Sequence, residues 1–383
     1  MPYFVSEQDI DLDMFASICE QIVDVSTYPT ASEIDQNVPV YDASTLLASM
    51  DGPQQLASLK EELYHCLKDG PGVFVVRRFY EDLSIVDRST NIFYSIIEEE
   101  KTIRIHAGDH FAKEGANERI WNSFQKVCEK DSEAFIDYYK NPLYRLLSEI
   151  WLGPGYQLTA QVNIVKAGGT AQSAHRDYHL GFQTNEMVAH FPKALQLASQ
   201  YLTLQGSIAH TDMPPETGPT LLLPFSQQYD LGYLAWRDEG FRSYFQQQAI
   251  QPSLQKGDAV FFSPALFHAA GTNSSTGDRI GNLIQVSTAF GKAMESIDRL
   301  SMMKQCYPVL LKYPQPLSGQ ERAAIIRAIA DGYPFPSNLD QLPPIGGMAP
   351  LTMQHFMERA LEEGWPSEEF NKIMDRSWNL RQA

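Results

Sequence analysis

Short apolar runs separated by turn residues fill positions 156–290, and this pattern constrains the fold more than any other feature. The runs are rich in β-branched and large apolar residues, and they occupy 156–165, 200–208, 219–223, 259–262 and 281–287. Gly-Gly, Pro-Pro, Gly-Pro and Gly-Asp pairs lie between them. Many short strands with turn signals between them are typical of a sandwich or barrel. The sequence therefore predicts a mainly β core of jelly-roll, cupin-like type.

Helical patterns precede this core. Leucines recur at helical spacing ahead of a Gly-Pro-Gly stop signal, at Leu56, Leu59, Leu63 and Leu67. A short apolar run at 73–76 then predicts a buried strand, and further helices are predicted at 83–101 and 132–151. The first 150 residues are therefore expected to be largely helical.

Helices are also predicted after the core. Ser318 and Glu321 have the spacing of a capping box, and an apolar helical stripe begins at Met353. The chain as a whole is thus predicted to be α+β, with three segments. They are an N-terminal extension at 1–50, a domain with a helical N-terminal part and the β core at 51–300, and a C-terminal helical extension at 301–383.

Charge and composition argue against several classes of partner. The 30 basic and 47 acidic residues give a formal net charge of −17, which would repel nucleic acid and anionic membrane surfaces. No apolar run approaches the roughly 20 residues that cross a bilayer, and the acidic N-terminus does not resemble a secretory signal. The four cysteines are scattered, as expected for reduced thiols. We expect a cytoplasmic protein that binds neither nucleic acid nor membranes.

The tetrapeptide Ala-His-Arg-Asp at 174–177 is the first candidate for chemistry. On an extended chain, residues two apart point to the same side, so His175 and Asp177 can direct an imidazole and a carboxylate at one point. Such a pair supplies two of the three protein ligands of a metal. Taken alone, the pair is equally compatible with an ordinary surface hydrogen bond.

A second segment, 257–279, strengthens the metal hypothesis. A Gly-Asp turn leads into a nearly unbroken apolar strand that is predicted to end at His268, and Arg279 follows eleven positions later. Two histidines and one carboxylate form the facial triad of non-haem Fe(II) oxygenases, which leaves coordination positions open. Arg279 is the residue type that anchors a carboxylate, because its planar fork bonds both oxygens and keeps its charge. The other histidines, expected to be solvated or hydrogen-bonded, include His106, His110, His190 and His210.

Both segments resemble the phytanoyl-CoA dioxygenase-like (PhyH) family of Fe(II)/2-oxoglutarate-dependent oxygenases. The family has an H-x-D, a distal His after a G-D-x-x-x-F strand, and an Arg eleven residues beyond that His. The resemblance implies a double-stranded β-helix, iron on His175, Asp177 and His268, and the C5 carboxylate of 2-oxoglutarate on Arg279. Two departures concern cosubstrate and substrate contacts: Ala270 replaces a frequent hydroxyl residue, and Pro-Phe-Ser-Gln at 224–227 replaces a frequent P-G-S-H.

Further residues are candidates for cosubstrate or substrate contacts. Asn163 and Gln161 lie on the strand before the triad and share its inward parity, so each either binds the 2-oxo acid or has a structural role. Tyr178, His179 and Gln183 open the segment 178–198, which is expected to cover the metal and contact substrate. A surface loop or a permanently packed insertion is the alternative for that segment.

The resulting prediction is a dioxygenase that uses Fe(II), 2-oxoglutarate and O₂ and releases succinate and CO₂ while it hydroxylates a small molecule. Two alternatives stay open. The chain is otherwise a cupin-like metalloenzyme that does not use 2-oxoglutarate, which Arg279 argues against, or a jelly-roll binding module without catalysis. The sequence does not indicate an oligomeric state.

Overall fold

The computed structural model describes residues 2–103 and 117–382, and these residues form two compact units. The first unit consists of Met1–Leu83, Ile97–Ile120 and Gln161–Gln285. The second consists of Ser84–Ile96, Trp121–Ala160 and Val286–Ala383. The division of the chain at residues 50 and 300 stays a prediction.

The described residues contain ten strands in two sheets. The strands are β1 (Glu33–Asp35), β2 (Val38–Asp42), β3 (Val73–Arg77), β4 (Asn117–Ile120), β5 (Gln157–Val165), β6 (Thr203–Ala209), β7 (Thr220–Leu222), β8 (Ala259–Phe262), β9 (His268–Ala270) and β10 (Arg279–Ser287). The larger sheet has the order β1-β2-β3-β8-β6-β10-β5-β4, and β7 pairs with β9 in the smaller one. All five strands predicted in the core are present, and the arrangement confirms the expected double-stranded β-helix.

Apolar side chains of the first unit fill the space between the two sheets. Val75 lies opposite Val260 across the antiparallel pair of β3 and β8, and Phe262 lies opposite Gln205 on β6. Val75, Val260 and Phe262 form one buried cluster with Leu222 of β7. Alternation along each strand directs these side chains inward, where burial stabilises the fold.

Two strands near the N-terminus were not predicted. β1 and β2 are antiparallel, and Gln36 and Asn37 between them both have positive φ, as a type I′ hairpin turn requires. β2 then pairs in parallel with β3, with Val40 opposite Val75. Residues 33–42 therefore extend the larger sheet of the first unit.

Helices occupy much of the remaining chain. They are α1 (Leu12–Cys19), α2 (Ala43–Ser49), α3 (Pro53–Lys68), α4 (Leu83–Ile103), α5 (Ser123–Lys130), α6 (Ser132–Tyr139), α7 (Pro142–Leu152), α8 (Asn185–Ala189), α9 (Lys193–Gln200), α10 (Gly232–Ala235), α11 (Glu239–Gln248), α12 (Arg299–Leu311), α13 (Gly319–Ile329), α14 (Met353–Glu363) and α15 (Ser367–Asn379). The flanking helices predicted from periodicity are present, and the predicted capping box begins α13. Within the described ranges, no helix combines the length and the apolar character needed to cross a membrane.

Candidate metal centre

The H-x-D segment is extended and lies against the segment that carries the distal histidine. The amide of His175 donates to the carbonyl of His268 at 3.0 Å, and the amide of His268 donates back at 3.1 Å. The amide of Asp177 donates to the carbonyl of Pro264 at 3.0 Å. This backbone pairing makes the two imidazoles neighbours, with ring centroids 4.4 Å apart.

The distal histidine is not on the strand where the sequence analysis placed it. β8 ends at Phe262, a turn follows, and His268 begins β9 in the smaller sheet. The turn is closed by the amide of Leu266, which donates to the carbonyl of Ser263 at 2.9 Å, and it contains Pro264, which has no amide hydrogen to continue a strand ladder. The apolar sequence therefore crosses between sheets before it reaches His268.

Hydrogen bonds to backbone carbonyls orient both imidazoles. Nδ1 of His175 lies 2.9 Å from the carbonyl oxygen of Ser173, and Nδ1 of His268 lies 2.8 Å from that of Leu266. A carbonyl only accepts, so each Nδ1 carries the proton and each Nε2 keeps its lone pair. The two Nε2 atoms lie 3.6 and 3.3 Å from the carboxylate oxygens of Asp177.

The three side chains form a donor set that fits a divalent transition metal. Their ligand atoms lie within 4.8 Å of one another, and no other group of three such residues was found in the part of the chain that the structure describes. His106 and His110 lie outside that part. Burial alone would raise the pKa of Asp177, but His175, His268 and Gln205 outweigh it and hold that pKa well below its usual range. Burial lowers the pKa of His175, so an ionised carboxylate faces an imidazole that is neutral at neutral pH.

Gln205 is a residue of this site that the sequence analysis did not identify. It lies on β6, and its Nε2 donates a short hydrogen bond to Oδ2 of Asp177. Its Oε1 is buried and has no hydrogen-bond partner among the described residues. Polar residues at alternate positions of β6 indicate a polar inner face, but the partner of Gln205 depends on the tertiary fold.

Arg279 begins β10 and is a buried cation with no acidic partner among the described residues. Its side chain is 7% exposed, and its one hydrogen bond among the described residues is a long one from Nη1 to the carbonyl of Thr217, at 3.5 Å. No carboxylate in the described ranges lies within ion-pair distance of it. Burial lowers the pKa of Arg279 from 12.5 to about 10. A guanidinium in this position is suited to binding a carboxylate from outside the chain.

The two amides on β5 are buried, as are the residues between and beside them on that strand. Oε1 of Gln161 accepts from Nη1 of Arg119 at 3.1 Å, and Arg119 lies opposite Asn163 in the pair of β4 and β5. Oδ1 of Asn163 is buried with no partner among the described side chains and backbone groups. Binding of 2-oxoglutarate by Gln161 and Asn163 stays a prediction.

A turn with unusual backbone geometry follows Asp177. Tyr178 and His179 both have positive φ (65° and 37°), which costs on the order of 1–3 kcal/mol each for residues other than glycine. Tyr178 is buried, whereas His179 and Gln183 are exposed. Partial desolvation of the imidazole lowers the pKa of His179. A substrate role for these three residues stays a prediction.

The rest of segment 178–198 is packed through one face. Leu180 and Val188 are buried in a cluster with Tyr233 and Leu234, and Arg237 donates to the carbonyl of Gly181 at 3.0 Å. Phe182, Met187 and Leu195, apolar residues of the kind that would be needed to close over a ligand, are instead substantially exposed. The contacts thus favour a packed insertion over a wholly mobile cover.

Comparisons with known proteins agree with this geometry. Residues 67–281 match the family model described as phytanoyl-CoA dioxygenase (PhyH), as the resemblance of the two motifs predicts. The dioxygenase olcK of Penicillium canescens is 32% identical over 137 residues, which cover 36% of this chain and 40% of that protein. The match thus spans well under two thirds of that relative.

Two solved structures are similar over most of their own length. The non-haem alpha-ketoglutarate-dependent carbocyclase SnoK from nogalamycin biosynthesis has a TM-score of 0.45 and 18% identity, over 61% of this chain and 86% of SnoK. HygX from Streptomyces hygroscopicus, with nickel, 2-oxoglutarate and hygromycin B bound, has a TM-score of 0.44 and 14% identity, over 62% of this chain and 90% of HygX. Similarities this weak do not bear on the chemistry of the chain.

Proposed function

The chain belongs to the phytanoyl-CoA dioxygenase (PhyH) family, and we propose that it is an Fe(II)- and 2-oxoglutarate-dependent dioxygenase whose metal ligands are His175, Asp177 and His268. The observation that carries this proposal is the convergence of the three ligand atoms within 4.8 Å, with both Nδ1 atoms already bonded to carbonyls. Bound iron would supply the oxidation chemistry, in which O₂ and 2-oxoglutarate are consumed and succinate and CO₂ are released.

The chain's own contribution at the metal is orientation. The carbonyls of Ser173 and Leu266 hold each imidazole in one tautomer and one rotation, so that no proton must leave Nε2 before a metal binds. Gln205 donates to Oδ2 of Asp177, the carboxylate oxygen that also faces Nε2 of His268, and so holds the carboxylate in one orientation. With three protein ligands, a bound metal would keep coordination positions open for small-molecule ligands such as a 2-oxo acid and O₂.

Arg279 supports 2-oxoglutarate as the second component. A guanidinium buried without a counter-ion loses solvation, and a distal carboxylate would restore its charge balance through two parallel hydrogen bonds. A cupin-like metalloenzyme that does not use 2-oxoglutarate has no need of such a cation. A binding module without catalysis would need neither Arg279 nor the triad, so both alternatives are disfavoured.

We propose hydroxylation of a small molecule as the reaction, with Tyr178, His179 and Gln183 as candidate substrate contacts. Tyr178 and His179 have positive φ directly after the proposed ligand Asp177. This strain supports the choice of these residues as substrate contacts, because backbone strain is concentrated at functional sites. Halogenating relatives have a small residue in place of the carboxylate ligand, so that a halide can bind. Asp177 keeps the carboxylate, which supports hydroxylation over halogenation. A cytoplasmic location stays a prediction.

Anaerobic reconstitution tests the proposal. The apoprotein with Fe(II) and 2-oxoglutarate is expected to develop a weak visible absorption band and, on exposure to O₂, to release succinate. Alanine at His175, Asp177 or His268 should abolish both signals, whereas His190→Ala, which removes an exposed histidine, should leave them unchanged. Near-normal succinate release by any one of the three ligand variants would mean that the triad is assigned wrongly.

A further inference from the structure

Arg176, which lies between two of the candidate ligands in sequence, is among the most deeply buried side chains of the chain. It is 1% exposed, and no carboxylate among the described residues lies within ion-pair distance of its guanidinium. Its Nε is buried with no hydrogen-bond partner in the described ranges. Burying a cation without a counter-ion is unfavourable in general, because the charge loses its hydration. A fold that keeps such a residue next to its metal ligands requires a physical reason.

The guanidinium of Arg176 is held by backbone carbonyls and aromatic rings, which together form its binding pocket. Its Nη2 donates to the carbonyl of Ser226 at 2.6 Å and to that of Tyr229 at 3.1 Å. Its Cζ lies 5.3 Å from the ring centroid of Phe267 and 5.4 Å from that of Tyr233. These distances are within the range of cation–π attraction.

Residues of this guanidinium pocket also contact the segment that carries the distal histidine. The hydroxyl of Ser226 accepts a hydrogen bond from the amide of Phe267 at 2.8 Å, and Phe267 directly precedes His268. His175 and His268 are paired through their backbones, so alternation places Arg176 and Phe267 together on the face opposite the imidazoles. Arg176 thus contacts the residues that hold His268, while its own backbone lies between His175 and Asp177.

We propose that Arg176 is a positioning residue that fixes the register of the two ligand-bearing segments, so that metal affinity depends on its guanidinium. The proposal rests on the metal site described under Proposed function. Arg176 itself does not touch the candidate metal position. Its fork reaches two carbonyls and a ring at once, which an ammonium on a flexible stem does not reproduce. Positioning contacts behind metal ligands typically account for about 10- to 100-fold in metal affinity.

A substitution at Gly232 provides an independent way to displace the guanidinium from its pocket without changing Arg176. A Cβ added at Gly232 would overlap Cζ, Nη2 and Nε of the Arg176 guanidinium. Because Arg176 is 1% exposed, its side chain cannot avoid the added Cβ by moving into solvent. Gly319 offers a matched control, because a Cβ added there meets nothing within 4 Å.

The test is a double-mutant cycle read by Ni(II) binding to the apoprotein in calorimetric titrations. Arg176→Met and Gly232→Ala should each weaken Ni(II) binding by about 10- to 100-fold. In the Met background, Gly232→Ala should have little further effect, because the clash is with the guanidinium. Arg176→Lys should also bind weakly. Gly319→Ala should bind as the unaltered chain does.

Stability measurements separate positioning from a general structural role. Replacing an unpaired buried cation with an apolar side chain is often neutral, so the unfolding midpoint of Arg176→Met apoprotein should change little while Ni(II) affinity falls. Equal losses from Gly232→Ala in both backgrounds, or full affinity in folded Arg176→Met or Arg176→Lys, would overturn the proposal. If the unaltered chain binds Ni(II) no better than His268→Ala, the proposed metal site itself fails, which is a distinguishable result.

Discussion

Replacing Arg279 with leucine is the sharpest test of cosubstrate binding. The substitution removes the buried cation and leaves the triad in place. A hydrogen bond to a charged group contributes about 1.5–3 kcal/mol. Burial lowers the pKa of Arg279 from 12.5 to about 10, because its charge is poorly solvated in the absence of a bound carboxylate. At about 1.4 kcal/mol for each tenfold change, the loss of about 1.5–3 kcal/mol corresponds to a roughly 10- to 100-fold weaker affinity for 2-oxoglutarate.

The assay is an anaerobic titration of the Fe(II) protein with 2-oxoglutarate, followed by the visible band. Arg279→Leu should raise the Kd for 2-oxoglutarate, while Ni(II) affinity and the stability of the apoprotein should not fall, because an unpaired buried charge has been removed. Arg322→Leu, at a partly exposed arginine of α13, serves as the control. An unchanged Kd in Arg279→Leu would remove 2-oxoglutarate from the proposed function. Loss of apoprotein stability would instead indicate a structural role.

Three further predictions concern the surroundings of the triad. Gln205→Leu should raise the pKa of Asp177 and weaken Ni(II) binding about tenfold, because the carboxylate loses the hydrogen bond that holds it. Full Ni(II) affinity in this variant would contradict the assigned contact. Asn163→Ala should raise the Kd for 2-oxoglutarate by about fivefold without changing metal affinity, and no change in Kd would leave Asn163 a structural role. Hydrogen exchange across 178–198 should show strong protection around Val188 both with and without ligands, because Val188 is packed in a buried cluster. Only the exposed residues of the segment should gain protection when ligands bind. Ligand-dependent protection of the whole segment would support a mobile cover.

Much of the candidate metal centre was predictable because its signals are local. The two-residue spacing of His175 and Asp177 needs only an extended backbone to bring both side chains to one side. The order of His268 and Arg279 after a Gly-Asp turn adds two more residues without any knowledge of the fold. The strands at 73–76 and 259–262 were likewise visible, because β3 and β8 are buried on both faces and read as continuous apolar runs.

The residues that support the ligands were not predictable, because their roles depend on contacts between distant segments. Gln205 is 28 positions from its partner Asp177, and Ser226 is 50 from Arg176. β1 and β2 were missed because they are short and carry Pro39 and acidic residues, which are uncommon in strands. The apolar stretch leading to His268 passes from one sheet to the other. Both sheets bury this stretch, so its hydropathy does not indicate where the chain leaves the first sheet.

The parallel pairing of β2 with β3 has a consequence for how the chain can be shortened. A chain that begins at residue 51 would leave the backbone amides and carbonyls along one side of β3 without partners. β3 is an apolar Val-Phe-Val-Val strand, and an exposed edge of that kind is a template for adding strands from other molecules. In the intact chain the edge position belongs to β1, which is three residues long and begins and ends with an acid. Residues 33–42 thus cover an aggregation-prone edge of the larger sheet. Shortened chains made for activity assays should therefore include these residues.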